Sequence, residues 1–259
     1  MKLSWYGTAA VMLESDGTRL VFDPFLGMPL QERVFERERR RTAYQSADAV
    51  LITHGHFDHI HDIPFLYEEL DTPIYATATP CKTLTELGVG EDKLRLIAPG
   101  DTFDIAPFHI TVYQGRHCKF DLGVVKKTVF KRDTLRHPKR LVQMLRLNHA
   151  FPENEETLFY EIEVEGKRLQ LMGSMGMDAD SVYPDCADVL ILPFQGTGNP
   201  SATVLPIIGK LKPKSVYLDH YDDAFPPLSS LIETETFVQK LNEHGIPCEV
   251  LRESNIYSI

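Results

Sequence analysis

Four of the ten histidines of the chain lie between positions 54 and 61, in the segment T-H-G-H-F-D-H-I-H that begins at Thr53. A short apolar run, A-V-L-I, precedes this segment and is typical of a buried strand. His54 and His56 are two positions apart in the loop that follows, so both rings are expected to point to one side. Asp58 and His59 add a carboxylate and a third imidazole within the same turn. Zn²⁺ and similar divalent ions prefer imidazole and carboxylate ligands, and the segment therefore predicts a metal site.

The elements that must position this site alternate between strands and helices, in two similar halves. The first half opens with a predicted strand over 3–14 and a D-G turn at 16–17, and the second half has a hairpin with an E-G turn at 165–166. Strand and helix signals then alternate in each half. This order predicts an α/β protein in which two sheets pack together with helices outside them. Because no stretch has the composition of a linker, we expect a single domain over 1–259.

A basic segment interrupts the chain at about 119–150, and we interpret it as an insertion. Pro138 is expected to open a short helix there, because its fixed φ suits the first helical turn. Leu141, Val142 and Leu145 would form the apolar face of that helix. The basic residues of the segment are Lys126, Lys127, Lys131, Arg132, Arg136, Lys139, Arg140 and Arg146. They favour an anionic substrate at the rim of the metal site, and a solvated or subunit-contacting surface is the alternative.

Composition and charge argue against several classes of protein. A net charge of -10 and a pI of 5.5 disfavour a general nucleic-acid binder, which usually has a basic surface. The four cysteines form no C-x-x-C pair, so we expect reduced thiols rather than a zinc ribbon or a disulfide framework. The first residues lack the apolar core of a signal peptide, and no apolar run is long enough to span a bilayer. These features favour a cytoplasmic protein, and a homo-oligomer is left open.

The segment from Thr53 to His59 resembles the T-H-x-H-x-D-H signature of the metallo-β-lactamase superfamily. The resemblance extends over nearly the whole chain, and it is closest to the branch that contains ascorbate-6-phosphate lactonase. It implies the αββα four-layer sandwich of that superfamily and a metal-dependent hydrolase. The supporting segments are 3–7, 20–25, 98–101, 187–193 and 217–221.

The resemblance also implies a set of metal ligands, which includes two histidines that end predicted strands. The first divalent ion would be held by His54, His56 and His117. The second would be held by Asp58, His59 and His220. One or two ions are expected, with zinc or manganese as the metal. Asp23 would orient a ligand imidazole without touching the metal, although an Asp before a proline is also a common turn former.

The chain departs from the family pattern at two positions. Relatives usually have G-D-x-G after the second hairpin, with an Asp that bridges both metals, and here the stretch is G-S-M-G with Ser174 beside the site. Ser174 supplies no charge, so we expect the second metal to bind more weakly, unless Asp178 or Asp180 takes the place of the missing carboxylate. At Thr8 many relatives of this branch carry His, which affects the expected substrate recognition rather than metal binding.

The implied chemistry is hydrolysis by a metal-bound hydroxide, because a divalent metal lowers the pKa of bound water to about 7. Asp58 and His220 are the expected catalytic residues, with Asp58 orienting the nucleophile and passing its proton to the leaving group. The expected partner is a small anionic substrate, such as a lactone or a phosphorylated sugar acid. A phosphodiesterase acting on phospholipid or nucleic acid is one alternative. A metal-poor binding protein without catalytic activity is the other, and Ser174 is its support.

Overall fold

Strands and helices alternate along the chain in the computed structural model, which describes residues 1–27, 34–68, 70–118, 130–253 and 255–259. The described strands, numbered along the chain, are β1 (Lys2–Trp5), β2 (Val11–Ser15), β3 (Thr18–Phe22), β4 (Ala49–Leu51), β5 (Ile74–Ala76), β6 (Leu94–Leu96), β7 (Thr102–Ile105), β8 (Phe108–Arg116), β9 (Leu158–Val164), β10 (Lys167–Met172), β11 (Gly176–Met177), β12 (Val189–Pro193), β13 (Val216–Asp219), β14 (Cys248–Val250) and β15 (Ile256–Ser258). The described helices are α1 (Val34–Tyr44), α2 (Phe57–Ile60), α3 (Ile63–Leu66), α4 (Ala78–Glu86), α5 (Arg132–Arg136), α6 (Pro138–Ala150), α7 (Pro200–Leu211) and α8 (Glu235–Glu243).

The strands form two sheets with the same internal plan. The first sheet has the order β15-β1-β2-β3-β4-β5-β6, and the second has the order β11-β8-β9-β10-β12-β13-β14, with β7 paired to β8. In each sheet the antiparallel hairpin strands come first in the chain, and parallel strands follow: β3, β4, β5 and β6 in one sheet, and β10, β12, β13 and β14 in the other. The two halves of the chain, whose element order is similar, therefore form two sheets with similar strand arrangements.

Three apolar clusters fill the spaces between four layers. The central cluster lies between the sheets, where Leu13 and Phe22 of the first sheet pack in one cluster with Ile110 and Tyr160 of the second. A second cluster joins the first sheet to α3 and α4, and a third joins the second sheet to α7 and α8. Each fully buried aliphatic or aromatic side chain stabilises such a core by about 1.5–3 kcal/mol. The predicted αββα four-layer sandwich is confirmed.

The predicted strand over 3–14 is wrong, because the chain turns between β1 and β2. Gly7 has φ of 91° and Thr8 has φ of 52°, a backbone region that glycine occupies easily and other residues seldom occupy. The amide of Ala10 closes the turn by donating to the carbonyl of Gly7 at 3.0 Å. The D-G turn at 16–17 joins β2 to β3 as predicted, with positive φ at both residues.

The described part of the insertion consists of α5 and α6, and Pro138 opens α6 as predicted. Helix α6 packs against α2, the short helix that follows the histidine run. Lys126 and Lys127 lie outside the described residues. Among the residues that are described, no helix has both the length and the apolar character needed to cross a bilayer.

Candidate metal centre

The predicted ligands come together because strand ends from both sheets meet at one edge of the sandwich. His54 and His56 follow β4, and α2 then carries Asp58 and His59. From the other sheet, His117 directly follows β8 and His220 directly follows β13. The sheet order, rather than the distance along the chain, therefore brings these six candidate ligands to one place.

The first group of candidate ligands consists of three imidazoles. One ring nitrogen each from His54, His56 and His117 lies within 4.8 Å of the others. The Nε2 atom of His54 is 3.1 Å from the Nδ1 atom of His56. The ring centre of His117 is 4.6 Å from that of His56 and 5.2 Å from that of His54. This compact set has the size and the donor type of a three-histidine metal site.

The second group combines one carboxylate with two imidazoles. Asp58, His59 and His220 also offer ligand atoms within 4.8 Å of one another. The Oδ2 atom of Asp58 lies 3.4 Å from Nε2 of His220 and 3.8 Å from Nε2 of His59. His59 also lies close to the first group, since its ring centre is 3.8 Å from that of His54. The two groups are therefore neighbours, as a two-metal site requires.

Hydrogen bonds at the outer nitrogens test whether these residues fit a cation. The Nδ1 atom of His59 is 2.8 Å from Oδ2 of Asp23, and the Nδ1 atom of His117 is 2.8 Å from the carbonyl oxygen of Cys118. A carboxylate and a carbonyl only accept hydrogen bonds, so each Nδ1 carries the hydrogen and each neutral ring keeps its lone pair on Nε2. Those lone pairs face the other candidate ligands. The donor set fits a divalent metal.

Burial and mutual repulsion keep the first group in the form that binds metal. Burial, together with the neighbouring imidazoles of His59 and His56, lowers the pKa of His54 well below its ordinary value. Burial also lowers the pKa of His56 to about 4. For Asp58, burial acts to raise the pKa, but His59 and His220 outweigh it and lower the pKa below the usual range. The imidazoles of His54 and His56 are therefore neutral and Asp58 is ionised near neutral pH. For His220, burial acts to lower the pKa, but the hydrogen bond to Asp58 outweighs it and raises the pKa to about 9.

Asp23 contacts a candidate ligand, His59. Its carboxylate is fully buried and accepts from the amide of Thr53 at 2.8 Å, from the hydroxyl of Thr53 at 2.6 Å and from His59. The Thr53 hydroxyl also lies 3.0 Å from Nδ1 of His54. Thr53 thus links Asp23 to both ligand groups. It had no role in the sequence interpretation, although it stands at the first position of the motif.

Ser174 lines the cleft between the ligand groups and the insertion, but it makes a structural contact as well. Its Oγ atom accepts a hydrogen bond from the amide of Cys118, the residue after His117, at 3.0 Å. Asp178 is engaged elsewhere, because Arg116 and Ser181 bind its carboxylate at 2.8 Å each. Asp180 is exposed. The described residues that line the cleft include neither Asp178 nor Asp180. The suggestion that one of them replaces the missing carboxylate is therefore wrong.

Thr8 and Tyr221 lie behind His220 and outside the described lining of the cleft. The carbonyl of Thr8 accepts from the amide of His220 at 2.9 Å and from the indole of Trp5 at 2.8 Å. Tyr221 stacks on Trp5 with ring centres 5.2 Å apart, and its hydroxyl donates to the carbonyl of Leu251 at 2.6 Å. Thr8 therefore supports the backbone of His220, and Tyr221 packs against Trp5 behind it. Thr8 is buried and does not belong to the described lining of the cleft.

Two packed sheets with outer helices, and two adjoining His-rich ligand groups at one edge, define a protein of the metallo-β-lactamase class. The chain belongs to the beta-lactamase superfamily, because the family model described as "Beta-lactamase superfamily domain" matches residues 18–221. The predicted superfamily is thus confirmed. Closeness to the branch that contains ascorbate-6-phosphate lactonase stays a prediction.

Relatives and solved structures agree with this assignment. A protein named "UPF0173 metal-dependent hydrolase" from Polynucleobacter asymbioticus is 25% identical over 95% of this chain and 83% of its own length. A protein of the same name from Ignicoccus hospitalis is 25% identical over 95% of this chain and 92% of its own length. The structure of Igni18, described as a novel metallo hydrolase from that archaeon, has a TM-score of 0.63 at 20% identity and covers 100% of this chain and 98% of its own. The names of these relatives agree with the expectation of a metal-dependent hydrolase, and the structural match supports the fold.

Proposed function

We propose that this chain is a metal-dependent hydrolase whose reaction takes place at the six candidate ligands. The convergence of the two ligand groups carries the proposal. Their inner lone pairs meet at one cleft, and the hydrogen bonds that His59 donates to Asp23 and His117 donates to the carbonyl of Cys118 fix both rings in that orientation. A divalent metal held there would supply the Lewis acidity that activates water and polarises a carbonyl or phosphoryl group.

The protein residues would contribute orientation and proton transfer. Asp58 stays ionised, so its carboxylate can hold the hydrogen of a water molecule and pass a proton to the leaving group. His220 lies 3.4 Å from Asp58 and orients that carboxylate. Three imidazoles favour zinc for the first group, whereas the carboxylate of the second group also suits manganese. Among the described residues that line the cleft, Asp58 is the single carboxylate, which supports weaker binding at the second group.

The anionic-substrate prediction has less support than the hydrolase proposal. None of the described lysines and arginines of the insertion lines the cleft. Lys131 contacts a residue of the cleft wall, because its Nζ atom donates at 3.2 Å to the carbonyl of Ser229. Arg136 pairs with Asp133 at 3.6 Å instead. A positive rim therefore rests on Lys131 and on the field of the whole segment, and an anionic substrate stays a prediction.

Metal analysis of matched histidine variants tests the proposal. His117→Asn removes a candidate ligand, and His109→Asn removes an exposed histidine from β8, the strand that His117 follows. We expect the first variant to lose at least one equivalent of metal after growth with zinc and manganese, and the second to keep all of it. Hydrolysis of a panel of esters, lactones and phosphodiesters should be lost when a chelator removes the metal, and it should return when metal is added back. Full activity in metal-free protein, or equal metal content in both variants, would contradict the proposal.

A further inference from the structure

The cleft continues from the candidate ligands into a pocket with apolar walls. Its volume is about 300 Å³, the lower end of the range for small-molecule sites. Helix α6 forms one wall through Leu141, Met144 and Leu145, which share one helical face because they are three and four positions apart. The loop after β13 supplies Phe225 and Leu228 to another wall. Apart from the candidate ligands, none of the described residues lining the pocket carries a charged side chain.

The two walls differ in how firmly they are held. Phe225 packs against Phe57 and Phe25, with ring centres 5.3 and 5.8 Å away, so its position is fixed by an aromatic cluster. On the wall formed by α6, Leu145 is 60% exposed although it belongs to the pocket lining. An apolar side chain presented to an open cleft gains about 25 cal/mol for each Å² that a bound apolar group covers. The pocket thus has a fixed apolar wall and a partly uncovered one.

We propose that this pocket binds an apolar part of the substrate, an alkyl chain or an aromatic ring, next to the scissile bond. The inference rests on the proposed hydrolase function, because the candidate ligands are the place where that bond would lie. Helix α6 packs against α2, which carries Asp58 and His59, so a group held by Leu141 and Leu145 adjoins the reaction centre. A phosphorylated sugar would leave these walls uncovered. The substrate class is an ester, lactone or phosphoester with an apolar substituent.

Binding of a neutral fluorescent probe tests the pocket without any requirement for activity. N-phenyl-1-naphthylamine is titrated into the full-length protein, both metal-loaded and metal-stripped. Leu145→Gln changes the pocket wall, and Val142→Gln is the matched control, because Val142 is 46% exposed on the same helix but outside the lining of this pocket. Partial loss of a leucine contact should raise the Kd about tenfold in the first variant. The control should stay within about twofold of the unmodified protein.

A series of p-nitrophenyl esters with acyl chains of increasing length tests the substrate class. Each buried methylene is worth about 0.8 kcal/mol, so kcat/KM should rise roughly fourfold per methylene until the pocket is full. The rise should persist in Val142→Gln and flatten in Leu145→Gln. Probe binding that responds to Leu145→Gln, without hydrolysis by the metal-loaded protein, would support the apolar pocket and overturn the hydrolase proposal. Hydrolysis without chain-length preference, with equal probe binding in all three proteins, would overturn the apolar-pocket inference alone.

Discussion

Replacing Ser174 with aspartate should strengthen the weaker metal site. In the structure Asp58 is the single carboxylate among the described residues that line the cleft, whereas two divalent ions would carry four positive charges. Ser174 lies in the same lining, next to the segment that carries His117. A carboxylate at this position would therefore reduce the excess of positive charge at both ligand groups. It would also retain an oxygen that accepts the hydrogen bond from the amide of Cys118.

Two opposing energies set the size of the effect. A carboxylate about 4 Å from one unit of positive charge gains about 4 kcal/mol at an effective dielectric constant of about 20. Against this gain, the side chain at position 174 is buried, with 6% of the residue exposed, and desolvation of a charge costs several kcal/mol. We expect a net gain of at least about 1.4 kcal/mol, which corresponds to tenfold tighter binding of the second ion.

The assay is a competition titration with a chromogenic chelator, followed by mass-spectrometric measurement of the bound metal. Ser174→Asn is the matched control, because asparagine has the shape of aspartate without its charge. In the unmodified protein one ion should leave well before the other, and in Ser174→Asp the two should leave closer together. Equal second-ion affinity in the Asp and Asn variants would refute the charge argument. Two ions of equally high affinity in the unmodified protein would refute it as well.

Two further predictions concern the residues that hold the ligands in place. In a metal titration, Asp23→Asn should bind metal about 10- to 100-fold more weakly, because the His59 ring loses its negatively charged hydrogen-bond acceptor. A metal affinity within twofold of that of the unmodified protein would contradict a positioning role for Asp23. Gly173→Ala should cost about 1–3 kcal/mol in urea unfolding, because a Cβ there would lie 2.5 Å from that of Thr53. Gly209→Ala, in α7 with open space around it, is its control and should not destabilise the protein.

The candidate metal site could be predicted from the sequence only where its residues are close together in the chain. His54, His56, Asp58 and His59 follow one strand within a few positions, so their types and spacing alone indicate a cation site. His117 and His220 are different, because their approach depends on the order of strands in the second sheet. That order is a long-range property, and without the family resemblance the two residues would have been ordinary histidines.

The contacts that position the ligands were harder to predict than the ligands themselves. The hydroxyl of Thr53 reaches Asp23 and His54 at once, and nothing in its neighbours along the chain signals this double role. Ser174 is similar: its change from the family pattern was visible, but its hydrogen bond to the amide of Cys118 was not. The Thr53–Asp23 and Ser174–Cys118 contacts join segments that are far apart in sequence, and they form because β3 ends beside β4 and β8 ends at the same edge as β10.

The insertion shows why composition alone predicts a substrate poorly. The number of its basic residues favours an anionic substrate, but that number does not show where the side chains point. On a helix, residues three and four apart share a face, so Leu141 and Leu145 point together whatever the charge of the residues between them. The predicted apolar face of Leu141, Val142 and Leu145 was right for the two leucines, but Met144 rather than Val142 lines the pocket beside them. Because α6 packs on α2, Leu141 and Leu145 line the cleft that contains the candidate ligands, and this position, rather than the charge of the segment, is the basis for the proposed apolar substituent.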